Sequence, residues 1–406
     1  MKLIVYRWKA YNEEIVINQL KHKGYEVIEF ECELKHYTRD LELAQKLINL
    51  INIEHADAVF TINYLPIISI VCDTCKIKYY SWVFNSPDLL LFAKSVTYPC
   101  NRIATFDREQ ADLLKNSGCD TIFHLPLAVD CKYFEDAISN KENNKRLFGD
   151  KGYCDVEFLG SLYTENIKLN NYDVICKDVH SFGSDEELER WNRIEQLIRK
   201  QVFCYDKDYI RDISEEDYYF LLELLDNRKF LLDEDYYDFN DEVLFSSILL
   251  KRVTILERRE LLCEIADYCN GKYDFRLYSG SDVSEVDKLK WCKNSKIDYE
   301  NEMPLVFNRA KINLNITLRS IGSGIPLRVL DVLGCGGFLL TDPQPEVLEY
   351  FEEDKELVIY RSIEECLEKI DFYLKHEELR KSIAMAGKKA VVERFNYDVM
   401  LDKLFC

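Results

Sequence analysis

Excess basic charge is the first thing this chain lacks. Its 406 residues hold 53 Lys and Arg against 73 Asp and Glu, a formal charge of −20, so nucleic-acid phosphates and anionic lipid repel it as a whole. Any anionic ligand needs a focused local site. A long apolar run is also missing from the start: Leu3-Ile4-Val5-Tyr6 is followed at once by Arg7, which fits neither a signal-peptide core nor a membrane span. The cytoplasm is the expected location. Cysteines number fifteen, but the count is odd and they scatter from Cys32 to Cys406, without the dense spacing of a small secreted scaffold. Reduced, mostly buried thiols are expected. No repeat of fixed period occurs. What is present is ordinary for a globular protein: 47% hydrophobic and 31% charged residues, enough for a sizeable core and too apolar for a disordered chain.

The apolar pattern alternates between strand and helix periods. Leu3–Tyr6, Tyr25–Phe30 and Ala58–Ile62 read as strands, with helices over Glu13–Lys23 and Asp40–Ile53 between them, an order that implies parallel pairing with right-handed crossovers. Ile77–Phe84, Arg102–Phe106 and Thr121–Leu125 continue the series, and the polar stretch Ser139–Lys145 follows as a linker. A second series opens at Val156–Leu159 and resumes at Asp274–Tyr278, Ile312–Ile316, Phe338–Thr341 and Leu357–Tyr360. Two α/β units in tandem result. Between the pieces, Asp185–Cys269 is poor in Gly and Pro and spaces Trp191, Ile194, Leu197 and Ile198 as one helical face. This insertion is strongly acidic: Tyr205–Glu242 carries 14 acidic residues against 4 basic ones.

The segment from Ile312 to Asp342 reads as strand, loop, helix and strand, with Gly322, Ser323 and Gly324 in the loop. Glycines let backbone amides approach a ligand, and the following helix presents unpaired N–H groups and a positive dipole end, which suits a diphosphate. Arg328 and Asp331 are three apart on that helix, placing a phosphate-binding guanidinium and a ribose-binding carboxylate on one face. The same spacing also describes a βαβ packing unit with an ordinary surface pair.

Pro326-Leu327-Arg328-Val329-Leu330-Asp331-Val332-Leu333-Gly334-Cys335-Gly336-Gly337-Phe338 resembles the donor-site helix of CgeB-like spore-maturation glycosyltransferases, which have the GT-B fold of two Rossmann-like domains facing a cleft. Phe158-Leu159-Gly160-Ser161-Leu162-Tyr163 is similar to the first strand and loop of a GT-B donor domain. Phe123-His124-Leu125-Pro126-Leu127-Ala128-Val129-Asp130 is similar to the end of many acceptor domains, and Arg394–Asp398 to the segment before the returning last helix. The resemblance implies an acceptor domain at about 1–150, a donor domain at about 151–393 with an insertion at about 165–270, and a crossing helix at 394–406. It implies transfer from a nucleoside-diphosphate sugar, most readily a UDP-sugar, to a protein or glycan acceptor, without a cofactor or metal. Asp331 would bind the ribose and Arg328 the diphosphate, with Gly160, Ser161, Thr317, Arg319, Gly322, Ser323 and Gly324 completing the donor site. One departure stands out. Retaining relatives often carry a Glu eight residues before the ribose acid, where this chain has Ser323, so retention of configuration is not implied.

On the acceptor side, Asp88 follows a strand and Pro87, where a carboxylate either takes a proton from an acceptor hydroxyl or caps the next helix. Asp107 and Arg108 share this ambiguity. His124 is one of six histidines and is read either as an acid/base group near the cleft or as a core residue. Asp206-Lys207-Asp208 and Asp233-Glu234-Asp235 are D-x-D tripeptides, read as a solvated helical face in preference to a cation site. Cys72 and Cys75 lack the further pair that zinc needs. The insertion's tyrosines, among them Tyr205, Tyr209, Tyr218, Tyr219, Tyr236 and Tyr237, suit either a basic polypeptide or sugar chain or a half-buried outer layer. A sugar-nucleotide epimerase and a non-catalytic carbohydrate-binding scaffold are the rival functions.

Overall fold

The computed structural model describes residues 1–163, 176, 179–181, 183–226, 248–284, 286–294 and 296–406. Its first sheet holds β1 (Lys2–Arg7), β2 (Glu26–Glu31), β3 (Ala58–Ile62), β4 (Lys78–Val83), β5 (Asn101–Thr105) and β6 (Ile122–His124). These pair in the order β2-β1-β3-β4-β5-β6, all parallel. All five residues of β3 are buried, because helices on both faces of a parallel sheet leave no wet side. Local chemistry sets the crossovers. In helix Leu41–Glu54, Leu43, Leu47 and Ile51 form the buried stripe, and the Asp40 carboxylate receives the Leu43 N–H at its start.

The second sheet holds β7 (Cys154–Leu159), β8 (Phe275–Tyr278), β9 (Lys293–Asn294), β10 (Ala310–Asn315), β11 (Leu339–Thr341) and β12 (Val358–Ile359). Its order is β12-β11-β10-β7-β8-β9, again parallel. The direction of winding reverses between β7 and β10, the crevice where sheets of this order receive ligands.

The insertion's described part contains helices Asp185–Gln201, Glu215–Asp226 and Lys251–Cys269. Ser184 and Glu187 form a capping box at the first. Trp191, Ile194, Ile198, Phe220, Leu221 and Val253 give the insertion its own small core, as the spacing of the tryptophan and isoleucines predicts.

The last helix, Tyr397–Phe405, crosses back to the first sheet. Phe405 packs 4.6 Å from Tyr80 and 5.0 Å from Tyr25, centroid to centroid, and Arg102 donates to the carbonyl oxygens of Leu404 and Lys403. One apolar core consequently runs through both halves, joining Leu3, Val5 and Trp82 to Leu330, Val391 and Leu401. Among the described residues no two cysteines form a disulfide. Among the described residues no helix is long and apolar enough to cross a membrane.

Candidate functional site

The loops after β4 and β5 meet those after β10 and β11 at facing carboxyl ends of the two sheets. They enclose a cleft of about 600 Å³, lined from the first sheet by Ser86, Asp107 and Glu109 and from the second by Arg319, Gly322 and Gln344. The insertion supplies a third wall through Tyr205, Asp206 and Asp208. The expectation of a solvated helical face for Asp206-Lys207-Asp208 is therefore corrected: these residues lie in a loop between helices. The Asp208 carboxylate accepts from the Ile210 and Arg211 N–H groups. Asp233-Glu234-Asp235, Tyr236 and Tyr237 fall outside the described residues.

The glycine loop behaves as an anion nest, but its anion belongs to the protein. The N–H groups of Gly322, Ser323 and Gly324 donate to the Asp107 carboxylate at 2.7, 2.9 and 3.3 Å. The Ser86 hydroxyl donates to the same carboxylate at 2.5 Å, and the Ser323 hydroxyl, 3.1 Å away, shares its one proton between Asp107 and Glu346. Successive amides turned one way favour negative charge, so the amide geometry follows from Gly-Ser-Gly while the identity of the anion does not. The two walls touch here. A Cβ on Gly324 would stand 2.7 Å from both the Phe106 ring and its carbonyl oxygen, so only glycine fits the seam. Asp107 also caps helix Arg108–Asn116.

Arg319 lines the cleft with its charge already matched. It forks onto Glu257, with contacts of 2.9 Å from Nε and 2.6 Å from Nη2, and its guanidinium carbon lies 4.0 Å from the Tyr205 ring centre. Glu257 is wholly buried. Burial raises its pKa and Arg319 opposes the rise. Thr317 is taken up by Asp342, which accepts from both its N–H and its hydroxyl. Gly160 and Ser161 lie at the end of β7, where the Tyr163 N–H donates to the Ser161 hydroxyl at 2.8 Å.

Arg328 and Asp331 are placed differently from the expected nucleotide grip, since neither lines the cleft. Their helix, Leu327–Gly334, turns them inward. Asp331 is 2% exposed, and the Tyr299 hydroxyl lies 3.1 Å from both of its oxygens. The Arg328 guanidinium lies 5.0 Å from the Phe307 ring centre, and its Nη1 has no partner among the described residues. A three-residue spacing puts two side chains on one helical face but does not say which way that face looks.

Asp88 caps the short helix Leu89–Phe92 by accepting from the Leu90 N–H and lies outside the cleft lining, so the capping alternative describes its place. His124 pairs through Nε2 with Glu346 at 2.8 Å. Glu346, 1% exposed, also accepts from the Ser323 hydroxyl at 2.8 Å. A carboxylate thus does stand at Ser323, brought by another element. Among the described residues no three His, Cys, Asp or Glu side chains converge as a metal site would require.

Three acids are sealed from water, and burial pushes Asp88 and Asp331 up to about 7 and Glu157 to about 8. Folded, they hold protons that the unfolded chain, titrating at about 4, gives up. Their contribution to stability is complete below that value and is lost as pH rises through 7 and 8. With one pKa unit worth about 1.4 kcal/mol, unfolding free energy is expected to drop by several kcal/mol between about pH 6 and about pH 9. Urea titrations check this, and Glu157→Gln should flatten the slope across that range.

The cleft residue that sequence reasoning passed over is Glu109. It reaches across to Gly322, where an added Cβ would lie 2.4 Å from its Oε2. Among the described residues its carboxylate has no hydrogen-bonding partner. Partial desolvation, then the charge of Asp107, raise its pKa. Nothing in the sequence separates Glu109 from the other first-turn acids of helices.

Two parallel sheets that face each other across a cleft, with the last helix returning to the first, define the GT-B fold. Solved structures share it over the whole chain. A glycosyltransferase from Rickettsia africae superposes with a TM-score of 0.58 at 12% identity, covering 100% of this chain and 97% of that one. HepE of Anabaena, in complex with UDP and glucose, gives 0.56 at 8% identity, covering 100% and 98%. Sucrose-phosphate synthase from Thermosynechococcus elongatus gives 0.54 at 9%, covering 100% and 98%. At such identities the likeness establishes the fold. Residues 257–405 match the model of a family described as glycosyl transferase-like, a stretch that takes in the second sheet from β8 onward. No curated protein matches the chain.

Proposed function

We propose that this chain transfers a glycosyl group from a nucleoside-diphosphate sugar to a hydroxyl of a protein or glycan acceptor. The observation that carries the reading is the cleft between facing carboxyl ends, one wall of which belongs to the glycosyl transferase-like segment. The donor is assigned as a UDP-sugar, supported by the UDP and glucose found in HepE, and the reaction is assigned as metal-independent and cytoplasmic. In the transfer, the bond from the anomeric carbon to the diphosphate oxygen breaks and its electron pair leaves with the diphosphate. A bond forms from the acceptor oxygen to that carbon. The acceptor proton goes to Glu109, the cleft carboxylate with a raised pKa, which suits a general base.

The test is a nucleotide panel read by thermal shift, followed by product analysis with labelled donors. A bound nucleotide at about a hundred times its Kd is expected to add roughly 2.7 kcal/mol of apparent stability. No shift with any nucleoside diphosphate would reject the reading, and isomerised donor in the absence of acceptor would favour epimerisation.

A further inference from the structure

Among the described residues, Arg258 is a buried cation without an anion. It sits on helix Lys251–Cys269 and is 8% exposed. Its Nη1 donates to the Ser161 carbonyl, just beyond β7, and its Nη2 to the Ile316 carbonyl, just beyond β10, the latter at 2.6 Å. Among the described residues its Nε has no partner and no carboxylate pairs with it. The preceding residue, Glu257, is spent on Arg319. Burying a guanidinium costs several kcal/mol unless a counter-charge meets it, and two neutral carbonyls do not supply one.

The position is as specific as the charge. β7 and β10 are the strands between which the sheet order reverses, and Arg258 spans the carboxyl ends of both. The rings of Phe158 and Tyr163 flank its guanidinium carbon at 5.6 and 5.0 Å. Gly160 keeps the approach bare: a Cβ there would lie 2.9 Å from the Phe158 ring and 3.7 Å from the Arg258 Nη1. Arg258 does not line the 600 Å³ cleft, but Gly160, Ser161 and Tyr163 beside it are partly exposed, which gives a route in along the loop after β7.

We propose that Arg258 is the receptor for the diphosphate of the donor, so that the helix closing the insertion supplies the cation expected from Arg328. This rests on the glycosyl-transfer reading for the identity of the anion. A planar guanidinium forks onto two phosphate oxygens, and here it would also meet the charge that develops on the leaving diphosphate.

The full chain and its Arg258→Met and Arg258→Lys variants are compared for binding of UDP, uridine and inorganic pyrophosphate by calorimetry. Lysine keeps a donor for the strand-end carbonyls and serves if the methionine variant does not fold. The loss of one charge-assisted fork is expected to weaken UDP and pyrophosphate about 10- to 100-fold in Arg258→Met and about 10-fold in Arg258→Lys, with uridine unchanged. A merely structural role would weaken uridine equally, and that result, or UDP affinity equal to wild type in a folded variant, overturns the proposal. If the wild type binds pyrophosphate through Arg258 but no nucleotide, the anion site stands and the glycosyl-transfer reading falls.

Discussion

Replacing Glu109 with Gln is expected to lower turnover by about 10²–10⁴-fold while donor affinity stays at the wild-type value, because a general base acts on the acceptor proton in the transition state and contributes little to ground-state binding. Gln keeps the shape, and with it the packing against Gly322, so the variant folds. The acidic limb of the pH–rate profile should lie above the ordinary Glu range, since desolvation and Asp107 raise the pKa, and should vanish in Glu109→Gln. A direct displacement aided by this base inverts the anomeric configuration, which NMR of the product reads at once. Unchanged turnover, or a variant whose whole effect is on donor binding, would remove Glu109 from the reaction.

Asp107→Ala is expected to be the most damaging single change to the assembly of the two halves. The carboxylate is 1% exposed and receives the amides of Gly322, Ser323 and Gly324, two serine hydroxyls and the Glu109 N–H. Truncation leaves these donors facing one another around a void. Leaving the partners of a buried charge unpaired costs about 3–5 kcal/mol, a large share of typical domain stability. Asp107→Asn, which keeps one acceptor oxygen, should cost about half as much by the same reasoning. Denaturant titration measures both costs, and small-angle scattering should show the halves of Asp107→Ala parting. A stability loss below about 1 kcal/mol would mean that the seam does not depend on this contact.

The strand and helix pattern was legible because its causes are local. Ala58–Ile62 reads as a buried strand from its own composition, and Asp40, Asp88 and Asp107 cap helices through backbone groups two or three residues away. The strand-loop-helix unit around Gly322 could be read for the same reason. The aim of Arg328 and Asp331 was not legible: periodicity gives a shared face, and only packing against Phe307 and Tyr299 orients it.

The sequence by itself determined two parallel α/β units, a helical insertion between pieces of the second, and a glycine loop able to hold an anion, since each follows from contacts between near neighbours in the chain. Only the tertiary structure decided which groups meet. Asp107 fills the nest from 215 residues away, Glu257 of the insertion neutralises Arg319, and Arg258 is left at the reversal of the second sheet with no counter-charge among the described residues. Such pairings depend on how two sheets and an insertion are set against one another, and electrostatic complementarity across that distance leaves no periodic trace in the order of residues.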